Sequence, residues 1–264
     1  MVQRYVSVVV PLLLVSGAAA AAPRQRTTAP ASRPSVPTLI ARGEIEPALE
    51  QLDKSSVNAI DAWGHTPLRA AVRNREIATV DAVLAAGADV RQRAGFGWTA
   101  LHDAAAVGDV AIIERLIAAG AKVEQVENNG DTPLHVACRF GQSEAAKLLI
   151  EKGSTVRGKN AAGWTALHYA AAAGKTDVVR MLIDHKVYID EENRDGNTPL
   201  HLAAAENRVE AVDALLAAGA DVLTRNGKGR TPTDLAALNR HREVGERLTE
   251  AAMKAQAKRE AVKE

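Results

Sequence analysis

Glycine recurs at positions 64, 97, 130, 163, 196 and 229, a spacing of 33 residues held throughout. Each glycine opens a short motif: Gly64-His65-Thr66-Pro67-Leu68, Gly97-Trp98-Thr99-Ala100-Leu101-His102, Gly130-Asp131-Thr132-Pro133-Leu134-His135, Gly163-Trp164-Thr165-Ala166-Leu167-His168, Gly196-Asn197-Thr198-Pro199-Leu200-His201 and Gly229-Arg230-Thr231-Pro232-Thr233. Self-similarity at such a period marks an array in which each unit covers the hydrophobic face of the next and none is stable alone. Aromatic residues make up only 3% of the chain. Strands favour aromatic and β-branched side chains, so the array is expected to be all-α rather than a sandwich or barrel.

The chemistry of one unit can be read directly. Thr is a good N-cap, and Pro suits the first helical turn, where its missing N–H costs no hydrogen bond; Thr66-Pro67, Thr132-Pro133 and Thr198-Pro199 therefore start helices. A short Ala-rich helix follows. Val107-Gly108, Phe140-Gly141 or Ala173-Gly174 then interrupts the chain before a second helix with apolar residues at core spacing, such as Ile112-Ile113-Leu116-Ile117. That helix stops at Gly87, Gly120, Gly153 and Gly219, where glycine tolerates a left-handed backbone. Lys186 takes the same place in the fourth complete unit. Its loop either keeps the left-handed conformation at roughly 1 kcal/mol or adopts another shape.

These in-register copies resemble the ankyrin-repeat family across residues 38–251. The resemblance implies a solenoid of stacked helix-turn-helix units with β-hairpin-like fingers. By register the N-cap spans 38–60, complete repeats span 62–94, 95–127, 128–160, 161–193 and 194–226, and the C-cap spans 227–251. Thr233-Asp234 replaces Leu-His in that last unit.

Residues 1–22 carry Arg4, an apolar core from Val6 to Val15 and small residues up to Ala22, the pattern of a cleaved signal peptide. The apolar core is about half of the roughly 20 residues that a membrane span needs. With no Cys after the cut, a lipid anchor is not expected. Residues 23–37, rich in Pro, Ser, Thr and Arg, read as a disordered leader, and residues 252–264 as a solvated charged tail. Arg4, Arg24, Arg26 and Arg33 lack acidic neighbours, so 33 basic against 32 acidic residues overall becomes 29 against 32 after residue 37.

His102, His135, His168 and His201 recur at the repeat spacing. Equivalent positions in a solenoid lie a helix pair apart, too far for two imidazoles to share zinc at about 2 Å. The resemblance implies that these histidines tie the Thr turn to neighbouring backbone. Cys138 replaces Ala in its unit and reads as a small core residue without a resolving partner. No catalytic triad spacing, phosphate loop or metal motif stands out, so the chain is read as non-catalytic, without metal or cofactor.

In proteins similar to ankyrin-repeat arrays, the residues flanking the motif glycine and the exposed end of the first helix line a concave binding surface. By register those places hold Trp63, His65, Phe96, Trp98, Asn129, Asp131, Arg139, Phe140, Trp164, Arg194, Asp195, Asn197, Lys228 and Arg230. Every Trp and Phe of the chain falls there, aromatic in early units and charged in late ones. Aromatic and Arg side chains dominate protein interfaces, although Trp98 and Trp164 could equally pack against neighbouring fingers.

The expected function is protein binding by an exported monomer. The absence of Asn-x-Ser/Thr acceptors and disulfides favours a bacterial periplasm over a eukaryotic secretory route. The resemblance to exported bacterial ankyrin proteins implies a helper in oxidative-stress protection; an immunity-type inhibitor of a toxic enzyme is the alternative. A formal charge of +1 gives no general drive toward nucleic acid. The leader's three arginines, at about 1 kcal/mol each, are too few for a stable membrane anchor.

Overall fold

The computed structural model describes residues 34–261. The expected signal peptide, and the leader up to residue 33, lie outside the described residues. Thr66, Thr99, Thr132, Thr165, Thr198 and Thr231 all hold extended backbone, with ψ between 162° and 170°, immediately before a helix. The extended cap lets the Thr side chain turn back onto the orphan N–H groups of the first turn.

The chain forms helix pairs in sequence. The first is α1 (Val36–Ala41) with α2 (Ile45–Glu50). The complete repeats are α3 (Pro67–Asn74) with α4 (Ile77–Ala85), α5 (Ala100–Val107) with α6 (Val110–Ala118), α7 (Pro133–Phe140) with α8 (Ser143–Glu151), α9 (Ala166–Ala173) with α10 (Thr176–Asp184), and α11 (Pro199–Ala205) with α12 (Val209–Ala217). The last pair is α13 (Pro232–Leu238) with α14 (Arg242–Ala261). The first helices of successive pairs pack on one another, and so do the second helices.

Two boundaries differ from expectation. Helix α1 begins inside the stretch read as leader, because Pro37 occupies its first turn and Val36 is buried against the core. At the other end, α14 runs unbroken to Ala261, so the last helix continues through residues 252–261 of the charged tail. Ala252 and Ala255 pack against the core, and Arg259 reaches Asp221 at 3.0 Å.

Small residues on the first helices let neighbouring units approach. Ala71, Ala104, Ala137, Ala170 and Ala203 are all fully buried. Ile112, Ile113, Leu116, Leu149, Leu182 and Leu215 of the second helices fill the space between units, also without exposure. Each such side chain contributes about 1.5–3 kcal/mol of burial.

Polar groups knit the same junctions. The Nδ1 atoms of His102, His135, His168 and His201 each accept the backbone N–H of the Thr cap three residues earlier, at 3.2 Å. Their Nε2 atoms face backbone carbonyls further along the chain: Asp131 at 3.1 Å, and Gly158, Asn197 and Arg230 at 3.0 Å. A carbonyl can only accept, so Nε2 carries the proton and the ring is neutral. Burial pushes His102 and His168 down to about 4, which keeps them so. Side chains in the turns between the two helices of a pair add further ties: Gln142 donates to Ala106 O at 3.0 Å, Arg208 to Ala172 O at 3.0 Å and Asn239 to Ala205 O at 2.9 Å. These carbonyls end the preceding unit's first helix, where intrahelical donors run out, and Ala205 O also meets His241 Nε2 at 3.0 Å.

Lys186 keeps the left-handed backbone of its glycine counterparts, with φ 54°. The fingers are tight turns closed by backbone bonds such as Asp61 N–H to His65 O and Asn193 N–H to Asn197 O. The fingers are hairpin-like in this closure but build no strand ladder among the described residues; one isolated antiparallel bridge joins Ala94 and Trp98. The turns are too short for a ladder.

Candidate protein-binding surface

A polar side chain three residues before the motif glycine shapes most fingers. The Asp61 carboxylate accepts from Trp63 and His65 N–H at 2.9 and 2.8 Å, and the amides of Asn160, Asn193 and Asn226 play the same part in their units. The finger that carries Gly97 has Ala94 instead. Its turn is made by Gly95, Phe96 and Gly97, all at positive φ, with Arg69 donating to the Ala94 carbonyl at 2.8 Å. A bulky residue at φ 53° is uncommon, and Phe96 is 75% exposed while held there. Trp63, on the adjoining finger, is 78% exposed. The two fingertips touch, since a Cβ on Gly64 would come within 2.9 Å of Gly95 Cα.

Behind these tips a second aromatic group surrounds one cation. The Arg139 guanidinium lies 5.9 Å from the Trp98 ring, 5.2 Å from Phe140 and 5.6 Å from Tyr169. Such distances fall within cation–π range. Three consecutive units thus supply the rings. Tyr169 donates its hydroxyl proton to Asp131 at 2.8 Å; burial and that neighbouring carboxylate push the phenol well above its usual range.

Several expected contact residues are placed differently. Asp131 is 3% and Asn197 8% exposed, and both are withdrawn from the candidate surface. Asp131 accepts from Asn160 Nδ2 and Tyr169, while the Asn197 amide oxygen accepts from Asn226; their polar atoms hold fingers together. Trp98 and Trp164 are half-buried, with centroids 5.9 and 6.1 Å from the rings of His102 and His168, so packing occupies one side of each. Trp164 also meets Tyr169 at 4.9 Å. His65 is partly buried beside Arg73, and burial followed by that charge lowers its pKa. Asn129, Arg194, Asp195, Lys228 and Arg230 stand exposed on later fingers.

Sequence reading missed three members of this region. Tyr169 joins the Arg139 cluster although its register mates are Ala70, Asp103, Val136 and Leu202. Arg69 stands where the following repeats carry His, and it pairs with buried Asp103. Aligning the units column by column reveals all three departures; it does not reveal that Arg69 meets Asp103 or that Tyr169 meets Arg139.

Cys138 is fully buried and burial pushes its thiol far up. No group of three or more His, Cys, Asp or Glu side chains among the described residues is arranged to hold a metal. No helix among them is long and apolar enough to cross a membrane.

Stacked helix pairs joined by projecting fingers, with an aromatic and cationic face, define a helical-repeat interaction module. The family model described as Ankyrin repeats matches residues 84–160, 154–226 and 189–259, and the chain belongs to that family. No curated protein matches the chain.

Proposed function

We propose that this ankyrin-repeat chain is exported and binds one partner protein through the face running from Trp63 and Phe96 to Arg139 and Phe140. The observation that carries the reading is the pair of exposed aromatic side chains on touching fingertips, one of them at a left-handed backbone position. Exposed aromatics of this size leave apolar area in water that a partner would cover. Backbone outliers of this kind cluster at functional sites. Export is supported by the composition of residues 1–22 and by the basic, Pro-rich stretch after it.

Within this reading the chain is a periplasmic helper in oxidative-stress protection, and the redox chemistry resides in the partner. Cys138, the single cysteine, is buried and its thiol is held protonated. Thiolate, not thiol, is the reactive form.

The test is a pull-down from periplasmic extract with the purified chain, run beside a Trp63→Ala/Phe96→Ala variant. A protein captured only by the parent chain, whose loss by deletion raises peroxide sensitivity as loss of this chain does, supports both parts of the reading. Equal capture by both chains overturns the assigned face. A folded parent chain that captures nothing turns attention to a partner arriving from outside, as an immunity-type inhibitor requires.

A further inference from the structure

Arg139 is a partly exposed cation whose planar group is flanked by rings on several sides. Trp98, Phe140 and Tyr169 present their rings to it at 5.2–5.9 Å. The aromatic faces are therefore already committed to a cation, and the cluster does not offer a cage for another. What remains is the rim of the guanidinium with its N–H donors.

Those donors are not spent inside the protein. Nε is buried with no hydrogen-bond partner among the described residues. Asp131 Oδ2 stands 3.9 Å from Nη1, beyond hydrogen-bond reach, and its carboxylate is already bonded to Asn160 and Tyr169. The side chain is nonetheless 32% exposed. With Nε covered, that exposure belongs to the rest of the side chain, whose outermost atoms are the two terminal nitrogens.

The exposed charge along this face is mainly basic. Arg73, Arg194, Lys228 and Arg230 occupy exposed or partly exposed positions on the fingers and first-helix ends, against Asp195 and half-buried Glu206. Asp103, Glu127 and Asp131 are buried beneath the face, where a partner cannot touch them. The chain after residue 37 carries more acidic than basic residues, so the basic character is local to this surface.

We infer that Arg139 is a carboxylate receptor, and that the partner presents an acidic segment whose Asp or Glu side chain takes the free guanidinium rim while a flanking apolar residue covers Phe96 or Trp63. This inference rests on the protein-binding reading above and adds the chemistry of what is bound. A guanidinium and a carboxylate form paired, charge-assisted hydrogen bonds. Pre-ordering by the three rings removes rotamer freedom that a loose Arg would lose on binding.

A random-peptide display library selected on the purified chain tests it. The expected result is a binder pool enriched in Asp and Glu, with binding weakened about tenfold by Arg139→Gln and further by added salt. Arg139→Lys keeps the charge without the two-pronged donor set and should also bind more weakly than the parent. Thermal melting of both variants separates loss of the receptor from loss of folding, and the Lys variant retains a long stem against the rings. Binders no richer in acidic residues than the library, or binders indifferent to both substitutions, overturn the receptor. If those binders are still lost in Trp63→Ala/Phe96→Ala, the docking face stands without it. A library that yields no binder to the parent chain removes both.

Discussion

Arg69 and Asp103 form an ion pair buried at the junction of the first two complete repeats, with side chains 5% and 4% exposed. Arg69 also donates to the carbonyls of Gly64 and Ala94, at 2.9 and 2.8 Å, so one side chain holds two fingers together. The next four repeats do this with a neutral histidine. Replacing that His with a charge makes the first junction dependent on a single carboxylate.

Asp103→Ala should therefore be among the more damaging single substitutions, at about 3–5 kcal/mol, because it strands a buried charge. Arg69→His combined with Asp103→Ala should recover most of that loss by restoring the pattern of the later junctions. Urea unfolding of the two single variants and the double variant measures the coupling. A double variant as unstable as Asp103→Ala alone would show that the ion pair is not what holds this junction.

Acid should loosen the stack before it protonates most carboxylates. His102 and His168 are held down at about 4 in the fold, against about 6.5 in an unfolded chain. The unfolded chain takes up these protons first. Their contribution is complete above pH 6.5 and is lost progressively as pH falls toward 4, at up to about 1.4 kcal/mol per pH unit per histidine. Melting temperature followed from about pH 7.5 to about pH 4.5 should stay nearly level to about pH 6.5 and fall below it. His168→Asn should flatten the slope while lowering the starting value.

Lys186 at φ 54° occupies a place that glycine takes at φ 92–99° in four other loops. Lys186→Gly should raise stability by up to about 1 kcal/mol, the relieved strain being partly offset by a freer unfolded chain. The carbonyl of Lys186 still receives its bond from Arg157 at 2.7 Å, since only backbone is involved. Chemical denaturation compares the two chains directly.

Native protein should resist thiol reagents. Cys138 is wholly buried, and burial alone raises its pKa. Labelling with an Ellman-type reagent should proceed only as fast as the chain opens, and added denaturant should accelerate it. Rapid labelling without denaturant would contradict the burial.

Trp63→Ala together with Phe96→Ala should leave stability within about 0.5 kcal/mol per site, the range of ordinary surface changes. Leu149→Ala, at a side chain with no exposure, should cost about 2–5 kcal/mol. Melting curves set the two variants apart. A large loss in the aromatic pair would reclassify both residues as packing.

The repeat register, the Thr caps and the glycine stops were legible in the sequence because each acts within its own unit. Thr132 caps the helix that begins at the next residue, and Gly141 ends it; neither needs a distant partner. The candidate surface was only half legible. Register places Asp131 and Asn129 on the same finger, but not which of them turns inward; the turn is decided by Asn160 and Tyr169, one unit away. The same holds for Arg69, whose partner Asp103 lies in the following unit. The start of α1 was missed because Pro37 and Val36 share the composition of a leader while packing as a cap.

The Nε2 bonds of His102, His135, His168 and His201 all point one way along the chain, from each unit's first helix to the backbone that follows. In the final unit Asp234 stands in the histidine's place and accepts from Thr231 N–H at 2.8 Å, a residue with nothing to give onward. The two ends of the array are thus chemically distinct: removing units from the far end would leave one of these imidazole N–H groups reaching for absent backbone, whereas removing them from the near end would strand Gln142, Arg208 or His241, which reach back to the preceding unit. Loss of a unit at either end therefore exposes a different set of donors, ladder imidazoles at one and Gln, Arg and His241 side chains at the other.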